Sequence, residues 1–239
     1  MRTSWFNRIF PQSATRFIQK WTSQSSLVKK KHDIAMKNLK NLLVPIPIRS
    51  LKKSQKPRIE KHLLDLDNDD RFLRFGYHAS DDQIKSYVRS LNFDRDDIYG
   101  IFNRRLQLIA MAHLAFGEKE SRSANQVEFG VSVVKNARGR GYGALMFDRA
   151  LTHARNKGAT QMVIHALSEN TAMLKIATNA GAKVERDGGE SEAYLYIPPA
   201  SISSHVEEIV DEQFAEFDYN LKLQVKLIGA ALQDFRNAL

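Results

Sequence analysis

The stretch VEFGVSVVKNARGRGYGALMFDRAL, residues 127–151, decides how this chain is read. It opens on a strand-like apolar run, Val127 to Val134, and closes on the spacing of a helix, from about Gly143 to Lys157. Between them Gly139, Gly141 and Gly143 occupy alternate positions, with Arg138 and Arg140 threaded among them. Glycine permits a tight backbone path and lets a ligand come close to the main chain. Backbone N–H groups gathered beside a helix N-terminus form an anion site. Arginine adds a fork that grips phosphate oxygens in pairs. The stretch therefore predicts a phosphate-binding loop between a strand and a helix.

Working outward, Ser80 is placed to cap a helix, SDDQIKSYVRSL, with acids in its first turn. DIYGIFN and LQLIAMAHLAFG read as two strands joined by the polar turn NRR. Beyond the glycine loop and its helix, which Gly158 closes, ATQMVIHAL is a strand and ENTAMLKIATNAG a helix ending at Gly181. AKVER and EAYLYIP form a hairpin turning at Gly188–Gly189. PRIEKHLLDLDNDDRFLRFGYH opens the globular part, and the prolines of NLLVPIPI make that run extended.

Val206, Val210, Phe214, Phe217, Leu221, Val225, Ile228, Leu232 and Phe235 recur at steps of three and four. They predict one long amphipathic helix, started by a capping box of Ser204 with Glu207 and broken at most near Gly229. Its stripe is suited to packing on the protein's own body, and equally to pairing with a second copy as a homodimer. The expected organisation is a basic extension over 1–56, a central domain over 57–200 and the long helix over 201–239.

The chain has 239 residues and a net charge of +9, unevenly spread. Residues 1–62 hold 15 Lys/Arg against 2 Asp/Glu, and the remainder is mildly acidic. The first 31 residues carry seven bases, no acid and both tryptophans, Trp5 and Trp21. Such an arm fits a tail, an amphipathic segment on an anionic surface, or a mitochondrial transit peptide. No apolar run reaches membrane-span length, so the protein is expected in the cytoplasm. With no cysteine, disulfides, thiolate zinc sites and a cysteine nucleophile are excluded, and no metal is expected.

Three phosphate-binding readings compete for the loop. A P-loop needs a lysine after its glycines, and none follows. GRGYGA formally satisfies the dinucleotide-binding fingerprint. Its context is wrong, because four residues separate the strand from Gly139 and no acid follows about twenty residues on. The third reading rests on likeness. RGRGYG resembles the [QR]-x-x-G-x-[GA] signature of the GNAT N-acetyltransferase superfamily, with Arg138, Gly141 and Gly143 at the named places. The order of elements over residues 64–199 is similar too, and ENTAMLKIATNAGA resembles the family's asparagine-led helix.

The resemblance implies an α/β (α+β) fold, a central, mostly antiparallel sheet with helices on both faces. It implies an acetyl-CoA-dependent enzyme that acetylates a primary amine by direct attack on the thioester. The loop, Arg138, Gly139, Arg140, Gly141, Tyr142 and Gly143, would cradle the pyrophosphate. The backbone of Val131, Ser132 and Val133 would pair with the pantetheine arm, and Asn170 would contact the cofactor beyond the thioester. Glu128 and His165 stand where family members carry a base or water-holding group. The family's acid is a tyrosine seven residues after the asparagine, where this chain has Ala177; Tyr142, Tyr194, Tyr196 or water would have to substitute. That departure leaves a non-catalytic acyl-CoA-binding module as the alternative. Ten acids and one base between Glu185 and Asp218 point to a cationic acceptor: a protein lysine or N-terminus, or a polyamine.

Overall fold

In a computed structural model, residues 46–118, 125–200 and 202–237 are described. The first 45 residues of the basic arm, with the surfaces expected to meet them, lie outside the described residues. The unit beginning at Pro47 is built on a seven-stranded sheet.

The strands are β1 (Arg49–Ser50), β2 (Asp97–Phe102), β3 (Leu108–Phe116), β4 (Gln126–Val133), β5 (Gln161–Leu167), β6 (Lys183–Asp187) and β7 (Glu190–Tyr196). Their spatial order is β1-β2-β3-β4-β5-β7-β6, and only β4 and β5 run parallel. Six helices accompany them among the described residues: α1 (Lys56–Leu64), α2 (Asn68–Phe75), α3 (Asp81–Ser90), α4 (Tyr142–Asn156), α5 (Thr171–Asn179) and α6 (Ile202–Asn237). This is the mixed fold expected, with the long C-terminal helix present.

Local chemistry explains the element ends. Ser80 caps α3 in a reciprocal box with Gln83. Gly158 and Gly181 take positive φ after α4 and α5. The region opening the globular part holds two helices that the sequence reading did not resolve. Pro57 stands in the first turn of α1, while α2 starts on an Asp67 cap that accepts the Asp70 amide at 2.9 Å. β1 adds a short edge to β2, and Leu51 behind it is buried.

Directly paired residues share a face of the sheet, which assigns the layers. Phe129 of β4 meets Phe147 of α4 edge-on at 5.1 Å. On the other face Met111 joins Ile59 and Leu63 of α1 and Ile84 and Val88 of α3. Because helices cover both faces, β2 is buried along nearly its whole length. His62 crosses this second core: one ring nitrogen lies 3.0 Å from the Leu108 carbonyl, the other 2.8 Å from Ser132 Oγ. Burial pulls its pKa down to about 4, so the ring is neutral; it donates to the carbonyl and accepts the serine proton.

The long helix departs from one expectation. Its described span, Ile202–Asn237, already includes Ser204 and Glu207, so they do not open it; it runs through Gly229 without a break. The apolar stripe faces outward, with Val206, Val210, Phe217, Leu221, Val225 and Ile228 all exposed. The body is met by another face. Arg49 grips Glu216 through two bonds of 2.6 and 2.9 Å, and Arg58 donates to Tyr219 Oη at 2.7 Å. His153 of α4 lies between Glu208 and Asp97, the latter at 2.9 Å. The wall offered to α6 is cationic and polar, so acids and a tyrosine fit it where valines would not.

Burial disfavours the charged form of His153, but hydrogen bonds from its ring to Asp97 and Glu208, with their charges, outweigh it and raise its pKa. Burial likewise opposes ionisation of Glu208, yet His153, Asn156 and Arg149 bring its pKa down to about 2. The histidine contribution is complete below its ordinary 6.5 and is lost as pH rises through the raised value. The Glu208 contribution is present above 4.5 and disappears as pH falls toward 2. In urea unfolding, His153→Gln should therefore cost about 1–3 kcal/mol at pH 6 and progressively less toward pH 8.5; the difference between the two proteins cancels the opposite pH dependence of buried, neutral His62, which both share.

Candidate active site

The parallel pairing of β4 with β5 covers three positions, Gln126↔Gln161, Val127↔Met162 and Glu128↔Val163, and stops. β4 continues against β3 through Val133, and β5 continues against β7 through Leu167. The two strands thus form a fork beyond Glu128. Along its inner edges, backbone groups of Phe129–Val133 that point toward β5 have no strand partner among the described residues. Such an edge accepts an extended chain as if it were another strand. Ser132 cannot turn its side chain into the fork, because its hydroxyl is committed to His62.

The glycine loop closes the fork at the C-terminal end of β4. After a 3-10 turn over Lys135–Ala137, Gly139 and Gly141 adopt φ of +73° and +77°, and Gly141 is the N-cap of α4. No side chain caps that helix, so its first-turn amides remain available. A Cβ at Gly139 or Gly141 would meet nothing within 4 Å: glycine is needed there for conformation, and the space above is open. Gly143 has a different reason. A Cβ there would come 3.2 Å from Ile176 Cδ1, where α4 crosses α5.

The two loop arginines have separate roles. Arg138 pairs with buried Asp70 of α2 and donates to the Val133 carbonyl at 3.1 Å, stapling the loop to α2. Lys135 adds a looser pair with Asp67 at 3.4 Å. Arg140 is exposed and, among the described residues, holds only a long contact with the Asn136 carbonyl, so its fork is available for an anion. Tyr142 is half-buried in the first turn of α4.

The face of the fork opposite α4 carries the polar groups. Glu128 is exposed at the point of divergence and forms no ion pair among the described residues. His165, on the same face of β5, is also exposed and lies 3.1 Å from Glu192 of β7. Tyr194 donates to the other oxygen of Glu192. The structure thus brings Glu128 and His165 to one face, on opposite arms of the fork. Asn170 caps α5 by accepting the Met173 amide at 3.1 Å, with its amide nitrogen 3.5 Å from the Leu73 carbonyl of α2.

A cleft of about 660 Å³ opens beside the fork. Phe72 of α2 forms one wall, and Leu167–Glu169 with Asp187, Gly189 and Glu190 form the rest. Ser168 bonds to the carbonyls of Gly188 and Glu190 and to Ser191, fixing the hairpin against the end of β5. Three of the lining residues, Glu169, Asp187 and Glu190, are acids.

A sequence model described as an acetyltransferase (GNAT) domain matches residues 55–183. The chain belongs to the GNAT acetyltransferase family. Solved structures agree on the fold. The GNAT domain of S. lividans PAT superposes with a TM-score of 0.53 at 16% identity, over 62% of this chain and 89% of that one. YncA from Salmonella typhimurium, solved with its cofactor acetyl-CoA, gives 0.51 at 16%, over 64% and 95%. A GNAT-family acetyltransferase from Streptococcus pneumoniae gives 0.52 at 12%, over 63% and 98%. Among curated protein sequences none matches significantly.

Within this GNAT frame a second polar array had escaped the sequence reading. Arg74 of α2 lies against Gly130, donates to Tyr87 Oη at 3.1 Å, and is followed by His113 and Asp96. Its only signal in the sequence was a histidine and a glycine inside otherwise apolar strands. Asp70 was equally hidden, since its value lies in pinning a loop some seventy residues away. Asp70→Ala should cost about 2 kcal/mol of stability, below the 3–5 of a fully buried pair because Arg138 is partly in water. It should also weaken CoA binding in calorimetry, although Asp70 faces no phosphate.

Proposed function

We propose that this GNAT protein is an acetyl-CoA-dependent N-acetyltransferase acting on a cationic primary amine. The observation that carries the reading is the open fork ending at an uncapped, glycine-lined helix N-terminus. The fit is direct: an anion cradle, an unpaired strand edge and a polar face meet at one place. The amides from Gly139 to Gly143 and the Arg140 guanidinium would hold the pyrophosphate. The main chain of Val131–Val133 would take the pantetheine arm, with Asn170 at the α5 side of the fork.

Acetyl-CoA supplies an acyl group on a thiolate leaving group. The amine nitrogen forms the new bond to the acyl carbon, the carbon–sulfur bond breaks, and the amine proton leaves for a base. Glu128, directly or through water, is placed to take that proton; His165, paired with Glu192, is the other group within the same face. Water reprotonates the thiolate. The acids of the cleft raise the local concentration of a cationic acceptor.

A binding module without turnover is the second reading. Ala177, fully buried in α5, fills the position of the family's tyrosine acid. Thiol release from acetyl-CoA with a panel of amines decides between them: release above the hydrolysis background supports the enzyme, and tight CoA binding without release supports the module.

The outward stripe of α6 is proposed to pair with a second copy. The helix carries six acids and no base up to Leu221, and three bases with one acid from Lys222 to Asn237, so two antiparallel copies would match opposite charges. Sedimentation should give a dimer, and Phe217→Glu with Leu221→Glu a monomer. In calorimetry, Arg140→Ala should weaken CoA by about tenfold and flatten the salt dependence of binding, as expected when one charge-assisted contact is removed. Raising ionic strength should increase KM for a cationic amine, and Asp187→Asn with Glu190→Gln should remove that rise.

A further inference from the structure

One array on the acceptor face is not needed for moving an acetyl group. The Arg74 guanidinium lies flat on the Gly130 backbone, so close that a Cβ there would stand 2.8 Å from Cζ and Nη2 and 2.9 Å from Nη1. Gly130 lacks a positive φ, so its glycine is explained by this approach rather than by conformation. The position lies two residues beyond Glu128, inside the fork.

Arg74 is held by a hydrogen bond and by two aromatic rings, those of Phe75 at 5.3 Å and Tyr87 at 5.7 Å, with no carboxylate at ion-pair distance among the described residues. Its Nη2 donates to Tyr87 Oη at 3.1 Å; Tyr87 Oη lies 2.8 Å from His113 Nδ1, and His113 Nε2 lies 3.2 Å from Asp96. Asp96 also accepts from Arg95 and from the Phe116 amide. With Asp96 as carboxylate, His113 donates through Nε2, Tyr87 donates to Nδ1, and the tyrosine lone pair faces Arg74. Burial, and then the charge of Arg74, lower the His113 pKa, which keeps that ring neutral. Arg74 forms no ion pair among the described residues, and its buried Nε has no partner. Carrying a guanidinium into a partly buried site without a counter-charge is costly. The planar fork fits a two-oxygen anion better than any other partner.

We propose that Arg74 recognises a carboxylate on the acceptor, so that the acceptor is an amino-acid-like molecule carrying its carboxylate near the reacting amine. The inference rests on the acetyltransferase reading and narrows it. The acids of the cleft take the cationic part of the acceptor and Arg74 takes the anionic part. A plain polyamine satisfies only the first. The pair of sites selects an α-amino acid with a cationic side chain over its decarboxylated or amidated counterpart.

The test measures kcat/KM by thiol release for lysine, lysinamide and cadaverine, and for arginine and agmatine. Lysinamide has the more easily deprotonated α-amine, so chemistry alone would favour it over lysine. Wild-type protein should instead prefer lysine over lysinamide and cadaverine, and arginine over agmatine, by 10- to 100-fold, expressed mainly in KM. Arg74→Gln should bring those ratios toward one, Arg74→Lys should retain part of them, and Gly130→Ala, which displaces the guanidinium, should lower them. Equal use of acid and amide by the wild type, a measurement that needs no variant, overturns the inference while leaving acetyl transfer standing. So does an equal loss on all substrates in Arg74→Gln. No thiol release with any amine, from a protein that fails to bind CoA, overturns both readings.

Discussion

The parallel pairing of β4 with β5 stops after Glu128, and every candidate role in the molecule is arranged around that divergence. A continuous ladder would bury both inner edges and leave no place for an extended ligand. The fork stays open because each arm is fully engaged on its outer side, β4 by β3 and β5 by β7. Its mouth is fixed by α2, which pairs with the glycine loop through Asp70–Arg138 and touches Asn170 through the Leu73 carbonyl. A single short helix therefore braces both arms.

The two faces of the sheet divide the work. On one, α4 packs Phe147 on Phe129 and presents its uncapped N-terminus to the fork. On the other, α1 and α3 build an apolar core interrupted by polar groups at chosen points. His62 satisfies Ser132 and is neutral by burial, a structural use of histidine. His113 is neutral as well, yet stands in a chain that ends at Arg74 inside the fork. His153 is different again, with its pKa raised between two carboxylates that fasten α6 to the body. The same side chain acts as packing, relay and clamp according to what surrounds it.

Much of this was legible in the sequence, for identifiable reasons. The glycine loop, the strands β2 to β7 and the hairpin announce themselves through period and turn residues, and the structure places them within a residue or two; β1, two residues long, carries no such signal. α1 and α2 escaped because they are short, densely charged and nearly contiguous, so that only Pro57, Asp67 and Gly76 mark where each begins or ends. The direction of the α6 stripe was left open by the sequence, which suits packing and pairing equally. Periodicity shows that an apolar face exists, while the chemistry of the receiving wall, here Arg49, Arg58, Arg149 and His153, decides which face docks. Glu128 and His165 were singled out by likeness of position to family members. The Arg74 array was not, because its members come from α2, α3, β3 and the start of β2 and meet only in the fold.

Hydrogen exchange with and without acetyl-CoA tests the central claim most directly, since it reports on individual backbone amides and needs no acceptor. If the fork is the cofactor site, acetyl-CoA will slow exchange at Gly139–Ala144 and along Val131–Val133, and leave α6 unchanged. Unaltered exchange in both segments at saturating acetyl-CoA, or protection confined elsewhere in the chain, would contradict it.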